Sequence, residues 1–191
     1  MAIPPFDASK AVTFDLARGQ VRVGDSPPAV IVPVQVLERL FGAAGDGAIA
    51  IWRTVGDAIG ARVGKRLGGI GPSARSAPVE SFIDHLSGEL SVAGIGSLGA
   101  ERWGRALLIV VDHSPLGGAG DRLIASLLSG AVSVATSTDT RIVFLAREGD
   151  RARFLVTGAA GANKVGSWLS AGIGWGEALV RLHGASPGGA R

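Results

Sequence analysis

Three consecutive residues, Asp112, His113 and Ser114, carry the side chains of a hydrolytic triad. Hydrolysis by a triad requires these groups to be hydrogen-bonded in series, with the histidine between the serine and the aspartate. Neighbouring residues of a strand point to opposite faces of a sheet, so these three side chains cannot form that series. The segment is more typical of a turn, which Asp112 and Ser114 shape ahead of Pro115. We predict no catalytic residue here.

A second candidate motif is the segment 94–99, GIGSLG, whose glycines have the spacing of a dinucleotide fingerprint. A dinucleotide site needs a strand before the glycines and a helix after them, because the N-terminus of that helix binds the pyrophosphate. Here a helical pattern precedes the glycines and strand patterns follow them. The segment therefore predicts a helix-to-strand turn and no nucleotide cofactor.

Metal-binding or acid–base chemistry would need clustered ligands or carboxylates. The chain has no cysteine, and its 3 histidines, His85, His113 and His183, belong to separate segments. A metal site would have to be assembled from these distant parts of the chain. Glu80 and Asp84 come closest to a carboxylate pair at helical spacing, and they indicate a solvated helix face. We predict no metal, no cofactor and no catalytic constellation.

A basic cluster, Arg62, Lys65 and Arg66, lies near the end of a predicted helix. Two explanations stay open. The cations complement the partial negative charge of the helix C-terminus, or they bind an anionic headgroup or an acidic partner surface. The net charge is only +3, the other basic residues are scattered, and the chain has no tyrosine. Nucleic-acid-binding proteins more often combine clustered cations with aromatic stacking partners, so we expect no nucleic acid partner.

The elements that position these residues form one globular domain. A chain of 191 residues, 47% of them hydrophobic, suffices for one packed core. The absence of cysteine excludes disulfides and fits a reducing cytoplasm. Residues 1–10 lack the apolar core of a signal peptide, and no run of about 18 apolar residues is free of charge. We expect a soluble cytoplasmic protein without a transmembrane segment.

Hydrophobic periodicity predicts a mixture of strands and helices. Strand patterns cover residues 12–14, 20–23, 97–102, 105–112, 141–147 and 151–157. One helical pattern begins near Pro33 and is closed by Gly42 and Gly45. Three others cover residues 48–67, 79–90 and 120–135. The run 106–111 is apolar on both faces, so we place it centrally in the sheet.

Glycines recur every four positions along the predicted helix 48–67 and just beyond it, at Gly56, Gly60, Gly64 and Gly68. Beside them runs an apolar stripe made up of Ile49, Trp52, Val55, Ile59, Val63 and Leu67. Each glycine costs a helix about 1 kcal/mol relative to alanine, so some group must approach this backbone closely. Either another helix or the sheet packs tightly here, or the glycines open one wall of a ligand cavity.

The segment 163–182 has the spacing of one amphipathic helix, and we predict that it docks on a surface rather than joining the central core. Its docking candidates are Trp168, Leu169, Ile173 and Trp175, with the two tryptophans on the same side. Its glycines make this helix unstable in isolation, so packing against a surface must stabilise it. That surface is the chain's own domain, a second copy or a membrane interface. We expect the tail, residues 184–191, to be frayed.

Three segments together resemble a known family. The first segment is Val30-Ile31-Val32-Pro33, which leads into a helix and then into the glycine-spaced helix. The second is 90–96, which leads into a strand hairpin that ends at 110–115. The third is a small-residue helix around 127–131, which precedes a hairpin with Gly149-Asp150 in its turn. Their order resembles the 4-vinyl-reductase-like (hydrocarbon-binding) domain, whose fold is also that of small subunits of TRAPP vesicle-tethering complexes. The resemblance implies an N-terminal segment over 1–19, a ligand-binding domain over 20–158 and a C-terminal addition over 159–191.

The resemblance also implies an α/β (α+β) fold, in which an antiparallel four-stranded sheet packs against several helices and an extra C-terminal helix follows. It implies an apolar pocket between helices and sheet, used for sensing small molecules or for assembly. Family members often carry two cysteines in the closing hairpin, one of them just before the final Phe. Here Arg153 precedes Phe154 and the chain has no cysteine. A zinc or redox role of the family type is therefore unsupported.

We predict a noncatalytic module that binds an apolar small molecule, as a sensor or a carrier. The predicted pocket residues come from the glycine-spaced helix, the central strand and their neighbours: Trp52, Val55, Gly56, Ile59, Gly60, Val63, Leu107, Ile109, Leu127 and Phe144. The alternative is a dimerising adaptor without a ligand, and third comes an accessory carrier in pigment biosynthesis. We expect a homo-oligomer, most simply a dimer, or a complex with another protein partner.

Overall fold

The computed structural model describes residues 3–184 and contains a four-stranded antiparallel sheet in the order β4-β5-β7-β6. Its strands are β4 (Ser97–Trp103), β5 (Ala106–Asp112), β6 (Thr140–Glu148) and β7 (Arg151–Gly158). The predicted sheet and its hairpins are confirmed. The apolar run of β5 lies inside the sheet, as predicted, between β4 and β7. It is apolar on both sides because helices cover both faces of the sheet. Ile109 and Val111 contribute to one core, whereas Ala106 and Leu108 contribute to the other.

Four helices enclose the first core. They are α2 (Gly47–Arg66), α3 (Pro72–Ser76), α4 (Val79–Val92) and α5 (Asp121–Thr136). Between α4 and β4 the chain turns through Gly94 and Gly96, both with positive φ. The prediction that the segment 94–99 is a helix-to-strand turn is therefore confirmed.

The glycines of α2 make room for α5. A β-carbon on Gly56 would overlap the carbonyl oxygen of Leu127, and one on Gly60 would overlap that of Ala131. The contact is reciprocal, because a β-carbon on Gly130 of α5 would lie 2.5 Å from the carbonyl oxygen of Arg53. Tight helix packing, the first of the two explanations for these glycines, is confirmed at Gly56 and Gly60.

The predicted single helix over 163–182 is a pair of helices, which corrects the prediction. They are α6 (Ala159–Ser170) and α7 (Trp175–Gly184), and Gly172, with a φ of 82°, lies in the break between them. Both pack on the second face of the sheet, where Val165 and Leu179 are fully buried with Leu108 and Leu155. The chain's own sheet thus supplies the surface that orders this segment. The predicted frayed tail lies, from residue 185 onward, outside the described residues.

The N-terminal part forms a small sheet, β1 (Val12–Asp15), β2 (Gln20–Val23) and β3 (Pro28–Ala29), followed by α1 (Val34–Ala44). Residues before β1 lie on α4: the Phe6 amide donates to Asp84 at 2.7 Å, and the Phe6 ring occupies the space above Gly88. None of the residues of α1 is buried. Between residues 3 and 184, no helix combines the length and apolarity needed to cross a membrane.

Candidate ligand-binding site

A cavity of about 320 Å³ lies between the first face of the sheet and the helices α3, α4 and α5. Its volume is at the lower end of the range for small-molecule sites, and equals that of about ten waters in the liquid. Its lining residues come from all four elements: Ala74, Arg75, Ala77, Val79, Phe82, Ile83, Leu107, Ile109, Val132, Thr136, Thr138, Thr140 and Val156. A site of this kind requires the tertiary fold, because its walls are distant in sequence.

The floor of the cavity is apolar. Leu107 and Ile109 are two residues apart on β5 and therefore point to the same face of the sheet. Val132 on α5 and Phe82 on α4 enclose the space above them. Burial of an apolar group against these side chains would contribute about 25 cal/mol for each Å² removed from water.

The other end of the cavity is polar, and a turn builds it. Ser137 ends α5 in the left-handed conformation, with a φ of 52°, and the chain then enters β6. The hydroxyl of Thr138 lies 2.6 Å from that of Thr136 and 2.9 Å from that of Thr140. Arg75 of α3 reaches the same end, where its Nη1 donates to the Thr136 carbonyl oxygen at 2.9 Å.

The proton positions in this threonine chain follow from one contact. The Thr136 hydroxyl donates to the Val132 carbonyl oxygen at 2.6 Å. Thr138 must then donate to Thr136, and Thr140 must donate to Thr138, because each hydroxyl has one proton. All three protons are engaged within the protein, so these hydroxyls offer a ligand lone pairs only. Arg75 supplies N–H donors beside them.

Two of the ten predicted pocket residues, Leu107 and Ile109, line this cavity. The other eight lie outside its lining. Trp52, Gly56, Ile59, Gly60, Val63 and Leu127 belong to the packed core at the α2–α5 contact. Val55 faces solvent, and Phe144 packs against Phe154 with ring centroids 5.7 Å apart. The stripe of α2 is apolar because it meets α5, and no space is left there for a ligand.

Sequence reasoning missed the polar end, Arg75 with Thr136, Thr138 and Thr140. A signal was present: three threonines recur at every second position across the junction of a helix and a strand. Alternation of this kind places side chains on one side of an extended chain. Polar residues between two periodic segments are also typical of loops, so this signal does not by itself indicate a site.

Two other concavities lie in the described part of the chain. One, of about 430 Å³, opens between α1, the start of α2 and the start of α5, and carries Glu38, Asp46 and Arg122. Another, of about 280 Å³, surrounds the basic cluster Arg62, Lys65 and Arg66. Neither lies between helices and sheet. Each is lined by three or more charged residues, whereas the lining of the cavity on β5 contains one, Arg75.

The basic cluster has an intramolecular partner. Glu89 of α4 is almost fully buried, and its carboxylate accepts from Arg62 Nε at 2.7 Å and from Arg66 Nη1. Arg62 also donates to the Ser26 hydroxyl at 3.1 Å. Neither explanation offered for this cluster included this buried carboxylate. Lys65 and Arg66 do lie in the last turn of α2, as the first explanation, complementing the helix C-terminus, expected.

The triad-like segment has no triad geometry. Arg151 on the neighbouring strand donates to both carboxylate oxygens of Asp112, at 2.9 Å and 3.0 Å, and this hydrogen bonding lowers the pKa of Asp112. His113 turns outward with a side chain that is 78% exposed. The Leu116 amide donates to the Ser114 hydroxyl at 3.4 Å, so Ser114 shapes the turn as predicted. Over residues 3–184, no three His, Asp or Glu side chains converge as a metal ion would require.

Comparison with known proteins identifies the fold. No protein-family model matches this chain, and no curated protein sequence matches it. Seven chains of known structure match it. One is the phenol-responsive sensory domain of the transcription activator PoxR, whose crystal structure was determined with phenol. The TM-score is 0.61 at 12% sequence identity, and the match covers 95% of this chain and 94% of that chain. The two chains share a fold.

Proposed function

We propose that this protein is a noncatalytic module that binds an apolar small molecule, as a sensor or a carrier, in the cavity on β5. The observation that carries the proposal is the cavity itself, which has an apolar floor and one polar end. The lining has no carboxylate and no histidine, so it lacks the groups that general acid–base chemistry needs. The shared fold with a phenol-responsive sensory domain supports the same function. Membership of the 4-vinyl-reductase-like family, with the binding domain over 20–158, and a cytoplasmic location are parts of this proposal.

The polar end favours a particular kind of ligand. A group that accepts from the Arg75 guanidinium and donates to a threonine hydroxyl would satisfy both partners. A hydroxyl does both, whereas a pure hydrocarbon does neither. We therefore propose an apolar body of modest size with one small polar group.

Filling the cavity is expected to abolish binding without unfolding the protein. Ala77 lines the cavity directly after α3, and an indole at Ala77→Trp would occupy the space above Leu107. Native mass spectrometry of the purified protein, followed by solvent extraction, would measure the bound molecule. We expect a small molecule with the wild type and an occupancy at least about tenfold lower with the variant. The matched control is Ala171→Trp, at the end of α6 and outside the cavity, which should retain the ligand.

The proposal fails if the wild type carries no small molecule and binds none from a panel of aromatic and aliphatic alcohols. It also fails if Ala77→Trp and Ala171→Trp retain the ligand equally, because the ligand would then lie elsewhere. In the first case the dimerising adaptor, which needs no ligand, takes the place of the binding module.

A further inference from the structure

We propose that the short helix α3 is a lid over the cavity on β5, and that the Arg75 side chain is the latch that holds this lid closed. The lid, residues 72–77, turns between two fixed points, Gly71 and Pro78, while the sheet, α4 and α5 stay in place. The proposal rests on the proposed function, because it states how a small molecule enters that same site. Its main test nevertheless needs no ligand.

The apolar floor of the cavity is closed to solvent. Ile109 lines the cavity, yet it is only 1% exposed, and Val132 above it is 8% exposed. The solvent-exposed end is the polar one, at Thr138. A molecule that packs on the floor needs more room than the closed structure gives, so one wall of the cavity has to move aside.

The wall with the weakest anchorage is α3. Four residues of α4 and ten of α5 are buried, whereas α3 buries one, Ala74. Hydrophobic stabilisation grows with the apolar area removed from water, and a single methyl group removes little. Segments with few buried apolar contacts open at the lowest free energy. We therefore assign the movement to α3 and not to the two long helices.

Both ends of the lid allow it to turn as a unit. The N–H of Gly71 donates to the Ala135 carbonyl oxygen at 2.8 Å, which keeps this point on α5. Gly71 has a φ of 83°, and a glycine rotates between positive and negative φ at little cost. At the other end Ala77 is extended, with a ψ of 147°, as is usual before a proline, and Pro78 directly precedes α4.

Arg75 is the latch because it ties α3 to the end of α5. The last turn of a helix leaves carbonyl oxygens without intrahelical partners, and Arg75 Nη1 donates to that of Thr136 at 2.9 Å. Within residues 3–184, no other α3 side chain is hydrogen-bonded to another element. One such bond shifts an equilibrium only about fivefold, so the closed and open lids lie close in free energy.

A ligand would favour the closed lid. Its polar group would accept from Arg75, and its apolar body would contact both Ala77 of the lid and Leu107 of the floor. These contacts exist only when the lid is closed, and a ligand shifts an equilibrium toward the state that it binds better. Binding and closure are therefore linked.

Thiol labelling of the full chain tests the lid, since the chain has no cysteine. Ile109→Cys places a thiol beneath the lid, and its rate of reaction with a water-soluble maleimide reports how often the lid opens. Adding Arg75→Ala should raise this rate about fivefold. Adding Arg105→Ala, in the turn between β4 and β5, should leave it unchanged. The matched thiol is Val111→Cys, buried on the same face of β5 but outside the cavity, which should react slowly in every background.

Two results would overturn the proposal. One is an Ile109→Cys thiol that reacts no faster when Arg75→Ala is added. The other is an acceleration that the Val111→Cys thiol shares, because the whole domain would then be opening. A further arm adds 1-hexanol, which should slow the labelling of Ile109→Cys by filling the cavity and closing the lid. Acceleration by Arg75→Ala without protection by 1-hexanol would support the lid and count against the proposed function. Protection without acceleration would do the reverse.

Discussion

Substituting Gly60 by alanine is expected to lower the free energy of unfolding by about 2 to 3 kcal/mol. The new β-carbon would overlap the Ala131 carbonyl oxygen and lie within 2.9 Å of its carbonyl carbon. These are backbone atoms in the middle of α5, so they cannot move aside unless the two helices separate. The better helix propensity of alanine, worth about 1 kcal/mol, offsets only part of this cost. Urea unfolding followed by tryptophan fluorescence measures the change.

The control for this substitution is Gly166→Ala. Gly166 lies inside α6, and a β-carbon there meets no atom within 4 Å. Alanine should stabilise that helix by up to about 1 kcal/mol, because propensity is then the main effect. If Gly60→Ala were as stable as Gly166→Ala, the close crossing of α2 and α5 would be contradicted.

The second large effect is expected from Glu89→Gln, which should destabilise the protein by about 3 kcal/mol. The side chain of Glu89 is 1% exposed, and its carboxylate pairs with two guanidinium groups, those of Arg62 and Arg66. Glutamine keeps the shape but removes the charge, so two partly buried cations lose their counter-charge. Because Arg62 also holds Ser26, we expect the loop between β2 and β3 to loosen as well. Thermal and urea unfolding measure the loss of stability, and hydrogen exchange at the backbone amides of residues 24–26 and 29 measures the loosening.

The matched control is Glu177→Gln, which breaks an ion pair on the surface of α7. Glu177 and Arg181 are one helical turn apart and about half exposed. Exposed pairs of this kind contribute less than about 0.5 kcal/mol, because water screens the charges and both side chains lose freedom. Equal losses in the two variants would show that the burial of Glu89 has no energetic consequence, which would contradict its role as a buried counter-charge.

The cavity lies beside a sheet that is covered by helices on both faces. The sheet is covered on one face by α6 and α7 and on the other by α2, α4 and α5, so the sheet itself is well supported. The cavity lies at the edge of the first core, where the short helix α3 and the start of α4 close it. Ligand-binding parts of proteins are often drawn from such less tightly packed regions. A ligand there would tie α3 to the sheet.

Local sequence pattern alone determined most of the secondary structure and much of the fold. The run 106–111 has no polar face, which predicted a strand covered on both sides, and β5 lies inside the sheet with a core on each face. Local pattern was also sufficient to reject the hydrolytic triad at 112–114 and the nucleotide fingerprint at 94–99. A triad needs its three side chains hydrogen-bonded in series, which three consecutive residues do not allow. A nucleotide fingerprint needs a strand before its glycines and a helix after them, and here the order is reversed.

Only the tertiary structure decided which partner each pattern meets. Glycines at four-residue spacing predict a close approach to α2, but a helix and a ligand would leave the same pattern in the sequence. The counter-charge of Arg62 is Glu89, 27 residues away, and no spacing rule connects the two. The segment 163–182 has one continuous apolar stripe. In the structure the chain nevertheless breaks near Gly172 into two short helices, which together cover the second face of the sheet. The cavity is the extreme case: it is a gap between Arg75, Leu107 and Thr140, and a gap between distant segments has no local signature.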